Sequence, residues 1–269
     1  MSAKNPKIRL DSRLLEEGLA DSPQLAAALV MAGKVLVNDA PAQSAGQLVR
    51  ESDAVRLKGA EQEWVSRGAY KLLTALEKFN LNLRDRVCLD VGASTGGFTQ
   101  VMLRYGAAKV FSVDVGYGQL AWSLRGDPRV AVMERQNARF LTPDMFQPLP
   151  DFAASDASFI SLTKLLNPMA GVTSEEAEAV VLVKPQFEAR RGDVDQGGVV
   201  HSPEVHLSVL GELERFIRGE TPWGLCGAAW SGIKGPKGNI EYLFHLRKGV
   251  ESVCPDMEAL VRKSHEALN

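Results

Sequence analysis

From residue 64 onward the chain repeats a short apolar run of strand length followed, in most cases, by a stretch whose apolar residues lie three or four apart. The runs occupy residues 86–91, 109–114, 130–134, 151–155 and 179–184. Strands joined through helices pair in parallel, because the crossover returns the chain to the same end of the sheet, so the predicted architecture is α/β and doubly wound. Two later runs, residues 223–230 and 239–246, are separated only by Ser231-Gly232-Ile233-Lys234-Gly235-Pro236-Lys237-Gly238. With no helix between them they form a terminal antiparallel pair, giving a Rossmann-like sheet of seven strands.

Residues 1–60 follow another pattern. Leu10, Leu14, Leu15 and Leu19, then Leu25, Ala26, Leu29 and Val30, fall at helical spacing, and Ser22 is placed to cap the second helix. Lys34-Val35-Leu36-Val37 and Ala54-Val55-Arg56-Leu57 read as short strands, with a turn at Asn38-Asp39-Ala40-Pro41. This is a small N-terminal α+β module. The polar, glycine-containing stretch that follows sets a linker at residues 61–64, a large domain at 65–248 and a helical C-terminal tail at 249–269.

With 45% hydrophobic and 24% charged residues the chain can bury a sizeable core. No apolar stretch reaches membrane-spanning length and residues 1–10 do not resemble a signal peptide, so the expected location is cytoplasmic, with no membrane partner. Cys88, Cys226 and Cys254 are odd in number and widely spaced, and His201 and His206 have no third ligand type nearby. Neither a disulfide framework nor a metal site is expected. The net charge is −2, and residues 1–60 carry eight Lys/Arg against seven Asp/Glu, a net of +1. Charge therefore gives no argument for a nucleic-acid partner, which must come from motifs.

The first strand of the large domain runs into Gly92-Ala93-Ser94-Thr95-Gly96-Gly97-Phe98 and then a helical stretch. A glycine-rich turn at the carboxyl end of a strand lies where open α/β sheets bind ligands. The spacing G-x-x-x-G-G matches neither a dinucleotide fingerprint nor a phosphate loop, and no lysine is placed to hold phosphates. Asp90, just before the first glycine, can meet the ammonium end of an amino-acid-like ligand. Asp114, ending the second strand, can accept hydrogen bonds from ribose hydroxyls. S-adenosylmethionine fits these groups and ATP fits them poorly. Asn137, after the third strand, is equally suited to cap a turn or to contact adenine, while Phe159 reads as core packing.

Val65-Ser66-Arg67-Gly68-Ala69-Tyr70-Lys71-Leu72, the stretch 88–99, Val113-Asp114-Val115-Gly116-Tyr117-Gly118-Gln119-Leu120, Asp156-Ala157-Ser158-Phe159-Ile160-Ser161-Leu162, Leu182-Val183-Lys184-Pro185-Gln186-Phe187-Glu188 and Gly238-Asn239-Ile240-Glu241-Tyr242 together resemble the TlyA family over residues 7–248. The resemblance implies an RNA-binding domain of the ribosomal-protein S4 type before an FtsJ-like methyltransferase domain. It also implies 2′-O-methylation of cytidine in small- or large-subunit ribosomal RNA, with S-adenosylmethionine as cofactor. By motif position it sets a Lys–Asp–Lys–Glu tetrad on Lys71, Asp156, Lys184 and Glu241. The cofactor residues become Asp90, Gly92, Ser94, Gly96, Gly97, Phe98, Asp114 and Asn137. The RNA contacts become Arg9, Arg13, Lys34, Asn38 and Arg67.

The tetrad has a chemical rationale, since a ribose hydroxyl is a poor nucleophile and a deprotonated lysine can act as its general base. Lys184 is the candidate base, with the other three orienting groups. One departure from the family pattern is Pro23 after Ser22, where an arginine is common. Proline suits a first helical turn but removes a phosphate-contacting cation. The arginine that usually precedes the Trp64 motif is also absent, with Gln62-Glu63 in its place. Two other classes compete with the enzyme, a non-catalytic RNA-binding assembly factor and, because the family carries an older haemolysin label, a membrane-active protein. The intact tetrad and glycine loop argue against the first, and the lack of a spanning segment against the second.

Overall fold

The structure, a computed structural model, describes residues 7–17, 19–20, 22–38, 40–50, 53–58 and 64–268. The chain divides into two compact units, Met1–Glu63 and Trp64–Asn269. The expected linker falls outside the described residues except for Trp64, which is no linker residue. Its indole is buried in the core of the second unit, with the Arg104 guanidinium 4.4 Å above the ring.

In the first unit β1 (Lys7–Arg9) leads into α1 (Leu10–Glu16) and α2 (Pro23–Met31), followed by β2 (Val35–Val37), β3 (Ala40–Pro41), β4 (Leu48–Arg50) and β5 (Val55–Leu57). Leu10, Leu14, Ala26 and Val30 bring the helices together over Val35, Val37 and Val49. The Ser22 hydroxyl caps α2 by accepting from the Leu25 N–H, and Pro23 takes the first helical position, where no N–H is needed. β2 pairs antiparallel with both β3 and β5. The antiparallel β1–β4 pair was not expected, because three-residue strands are too short to carry a readable alternation.

The second unit runs α3 (Gly68–Lys78), β6 (Val87–Val91), α4 (Gly97–Arg104), β7 (Lys109–Val113), α5 (Trp122–Arg125), β8 (Val130–Met133), β9 (Phe152–Ser155), α6 (Leu166–Gly171), β10 (Glu178–Val183), α7 (Pro185–Glu188), α8 (Pro203–Glu220), β11 (Trp223–Trp230), β12 (Tyr242–Lys248) and α9 (Met257–Leu268). Its seven-stranded sheet has the order β11-β12-β10-β9-β6-β7-β8. The five strands from β10 to β8 are parallel; β12 runs antiparallel to β10, and β11 to β12. The predicted α/β sheet is thus observed with all seven strands.

Alternation along each strand feeds two cores. Val181 and Val183 join one cluster with Phe244, Leu210 and Leu166, while Val180 and Leu182 join the other with Leu72, Val101 and Met102. Burial on both faces explains why the strands read as continuous apolar runs. After β6 the chain builds β7 and β8 on one side, then returns to place β9 on the other. The carboxyl ends of β6 and β9 therefore flank the switch point where such sheets bind ligands.

Two boundaries differ from expectation in ways that matter. The last strand begins at Tyr242, not at 239, because Asn239 is held off the sheet: its side chain accepts from the Val200 N–H at 3.0 Å and donates to the Gly198 carbonyl at 2.9 Å. Of the stretch expected as a tail, the described residues 249–268 do not form one. α9 forms as expected, but Met257, Leu260 and Val261 are buried in the main core against α8 and β11.

Candidate active site

The glycine loop connects β6 to α4 in a conformation that few other sequences allow. Gly92 and Gly96 have φ of +83° and +98°. A Cβ on Gly92 would lie 2.9 Å from the Ala157 backbone, and one on Gly97 2.3 Å from the Ser66 hydroxyl. Glycine is required here both for backbone angle and for close approach. Ser94 also has positive φ, at +49°, and its N–H is held by the Asp114 carboxylate at 2.8 Å. The other Asp114 oxygen accepts the Gly116 N–H at 2.6 Å. Asp114 thus ties the two loops that follow β6 and β7.

Asp90 is fully buried at the end of β6. Thr99 donates to its Oδ2 at 2.6 Å and lies 2.7 Å from the Ser112 hydroxyl, but its Oδ1 has no hydrogen-bond partner among the described residues. Burial pushes this carboxyl up to about 7, against the smaller opposing effect of the Thr99 hydrogen bond. Asp90, Gly92, Ser94, Gly97 and Phe98 line a cavity of about 680 Å³ that continues to the tetrad. An adjoining cavity of about 350 Å³ is lined by Asp114, Asn137, Ala138, Phe159 and Ile160. Gly96 lines neither. It takes the left-handed turn that starts α4, where a Cβ would strike Leu124 and Leu120. Asn137 caps the turn Ala138–Phe140 through its Oδ1 while also lining the second cavity.

Four elements converge on the tetrad. Lys71 comes from α3, Asp156 from the loop after β9, Lys184 from the residue after β10 and Glu241 from the residue before β12. Lys71 Nζ lies 2.8 Å from Glu241 Oε2 and 3.2 Å from Asp156 Oδ2, and Lys184 Nζ lies 2.6 Å from Asp156 Oδ1. Both lysines are only 6% exposed and Glu241 1%. Burial is the largest single influence on Lys71 and lowers its pKa, but the Asp156 and Glu241 carboxylates outweigh it, so the net shift is upward and Lys71 is held as an ammonium. Lys184 also donates to the Asp156 carbonyl at 3.0 Å and lies 2.8 Å from the Ser158 hydroxyl.

Phe159 does not pack in the core as expected. It is 90% exposed, with φ of +62°, and leans on Phe187 at 5.0 Å between ring centroids. The left-handed backbone turns its ring out of the sheet and over the cavity mouth. Arg67 is exposed on the rim, its guanidinium reaching the Lys234 carbonyl at 3.4 Å.

The expected RNA contacts of the first unit are more mixed. Arg9 and Arg13 are ion-paired to Asp11 and Glu17 at 2.5 and 2.7 Å. Lys34 is exposed. Asn38 has φ of +49° and spends its amide on the turn, donating to Asp53 and accepting from the Ala54 N–H. Reading the sequence missed three polar groups at the site. These are Ser158, Asn239 and Gln186, which donates to Glu241 at 3.3 Å. Each lies inside one of the motifs above, two positions from a tetrad residue, and that proximity was the only signal.

The FtsJ-like methyltransferase family matches residues 64–248 and the S4 domain residues 8–55. The 16S/23S rRNA (cytidine-2′-O)-methyltransferase TlyA of Mycobacterium tuberculosis is 49% identical over 243 residues, covering 90% of each chain. Hemolysin A of Brachyspira hyodysenteriae is 37% identical, covering 89% of this chain and 99% of its own. A solved candidate hemolysin from Streptococcus thermophilus superposes with a TM-score of 0.77 at 39% identity, covering 98% of both chains. With both domains matched in order and these relatives matched almost end to end, the chain belongs to the TlyA family of FtsJ-like methyltransferases.

Proposed function

We propose that this enzyme transfers a methyl group from S-adenosylmethionine to a ribose 2′-hydroxyl of ribosomal RNA, on cytidine as in the mycobacterial relative. The observation that carries this reading is the chain of ion pairs Glu241–Lys71–Asp156–Lys184, with contacts of 2.8, 3.2 and 2.6 Å, beside the glycine loop. The cofactor fits the residues present. Asp90 Oδ1 is a buried acceptor with no partner among the described residues, suited to an ammonium; the glycines admit close backbone approach; and Asp114 and Asn137 line a second cavity suited to a nucleoside. When bound, S-adenosylmethionine supplies an electrophilic methyl on a sulfonium.

The chain's own residues then divide the work. Lys71, kept as an ammonium, fixes the Asp156 and Glu241 carboxylates; Asp156 orients Lys184, and Lys184 takes the ribose proton. Phe159, exposed beside Phe187 at the mouth, supplies a face on which an unstacked base can lie. The S4-type unit binds RNA without chemistry, and its arginines exchange their intramolecular carboxylates for phosphate. No helix among the described residues is long and apolar enough to cross a membrane, and we place the work with ribosomal subunits in the cytoplasm. The test is incubation of the full chain with methyl-labelled cofactor and ribosomal subunits from cells lacking the gene, followed by nucleoside digestion. Label is expected in 2′-O-methylcytidine. Absence of label, or label on a base, would overturn the reading. Liposome leakage assayed in parallel should be nil.

A further inference from the structure

Lys184 Nζ is hydrogen-bonded to the Asp156 carbonyl at 3.0 Å and to Ser158 Oγ at 2.8 Å, and Asp156 Oδ1 approaches it as an ion-pair partner at 2.6 Å. A neutral amine has two hydrogens and one lone pair. Neither the carbonyl nor the carboxylate has a hydrogen to give, so of these three oxygens only the Ser158 hydroxyl can donate to the lone pair. Lys184 is buried at the wall of the main cavity, whereas Ser158 is exposed and lines both that cavity and the adjoining one, between the lysine and the space open to the reactants.

We propose that Ser158 is a further catalytic residue, carrying the ribose proton to Lys184. The inference rests on the methyl-transfer reading above. As the ribose O2′ bonds to the methyl carbon, the sulfonium–methyl bond breaks and its electron pair stays on sulfur. The O2′ proton passes to Ser158 Oγ while the Ser158 hydroxyl hydrogen passes to Lys184 Nζ. Serine ends as a hydroxyl, lysine as an ammonium, and the positive charge lost by the sulfonium reappears on the lysine. Phe159, with its left-handed backbone, follows directly, and the Glu188 carboxylate pins the same loop by accepting from Ser161 Oγ at 2.6 Å and the Leu162 N–H at 2.8 Å. The relay hydroxyl is therefore held in a fixed loop.

The test compares Ser158→Ala, Ser158→Thr and Lys184→Ala in the full chain, by calorimetric S-adenosylmethionine affinity, thermal melting and single-turnover methylation of undermethylated subunits. Ser158→Ala should keep cofactor affinity and melting temperature and lose at least about tenfold in rate. Ser158→Thr, which retains the hydroxyl, should recover most of it. A Ser158→Ala rate equal to wild type, beside an inactive Lys184→Ala, would sink the relay and leave the methyl-transfer reading standing. Loss of cofactor affinity or melting temperature in Ser158→Ala would likewise overturn the relay in favour of a packing role. An active Lys184→Ala would remove the base itself, and the relay with it.

Discussion

At the scale of single residues, the site is governed by where charge is buried. Asp90 ionises at about 7 in the free protein because it is walled off from water, whereas in an unfolded chain it would ionise near 3.8. A folded-state pKa raised above the unfolded one favours the protonated form, so this group costs stability increasingly as pH rises from about 4 to about 7. An ammonium ligand needs the carboxylate. S-adenosylmethionine affinity should therefore rise with pH by close to tenfold per unit below 7, with proton release, in a range where an α-amine stays charged. Asp90→Asn should bind weakly and without that slope. Calorimetry between pH 5.5 and 7 checks both, and a flat wild-type profile would remove Asp90 from the ammonium site. The glycine loop was legible in the sequence because backbone angle and close approach dictate glycine there, and the four residues that the structure brings together at the cavity were marked by motif position through the family resemblance. Phe159 was not, since one positive φ turns it from core to surface and leaves no mark in hydrophobic spacing. Ser158 was passed over for a related reason: a serine two positions after an aspartate is ordinary until the lysine 26 positions on is brought against it.

At the scale of elements, two latches hold the site's edges. Asn239 clamps the loop before β12 to residues 198 and 200, which is why Glu241 stands off the strand and reaches Lys71. Periodicity over 239–246 could not reveal this, because a side-chain anchor outweighed strand pairing. Behind it lies a buried polar chain. His206 bonds the Val200 carbonyl through Nε2, with Tyr242 Oη at 2.7 Å and His265 Nε2 at 3.2 Å from its Nδ1, and Tyr242 reaches Ser264 on α9. Burial lowers His206 to about 4. Its folded pKa lies below the unfolded 6.5, so stability is intact above 6.5 and is lost as pH falls towards 4, by up to about 3 kcal/mol. His206→Gln cannot titrate. Urea melts should show the wild type losing roughly that much more stability than the variant between pH 6.5 and 4; an equal loss would mean His206 protonates freely. The docking of α9 through this chain is also what the sequence hid, for its helical spacing was visible but not the partner that buries it.

At the scale of the whole molecule, the chain is two units, each with its own apolar core. The parallel sheet was readable because strands buried on both faces give long apolar runs, and all seven were anticipated. The short β1–β4 pair and the packing of Trp64 into the second unit were not, because neither rests on periodicity. A chain beginning at Trp64 keeps both apolar clusters of the catalytic unit and every tetrad residue. It should bind S-adenosylmethionine like the full protein and lose most methylation at low RNA concentration. An unchanged rate there would give residues 1–63 another purpose.

The proposal that Lys184 is the base of the methyl transfer is tested most directly by one pair of variants. Single-turnover methylation at saturating RNA and cofactor should fall roughly 10²–10⁴-fold in Lys184→Ala, and Lys184→Arg should not restore it, since guanidinium keeps the charge but cannot give up its proton near neutral pH. An arginine variant that methylates at close to the wild-type rate would contradict the account and leave Lys184 an anchoring charge.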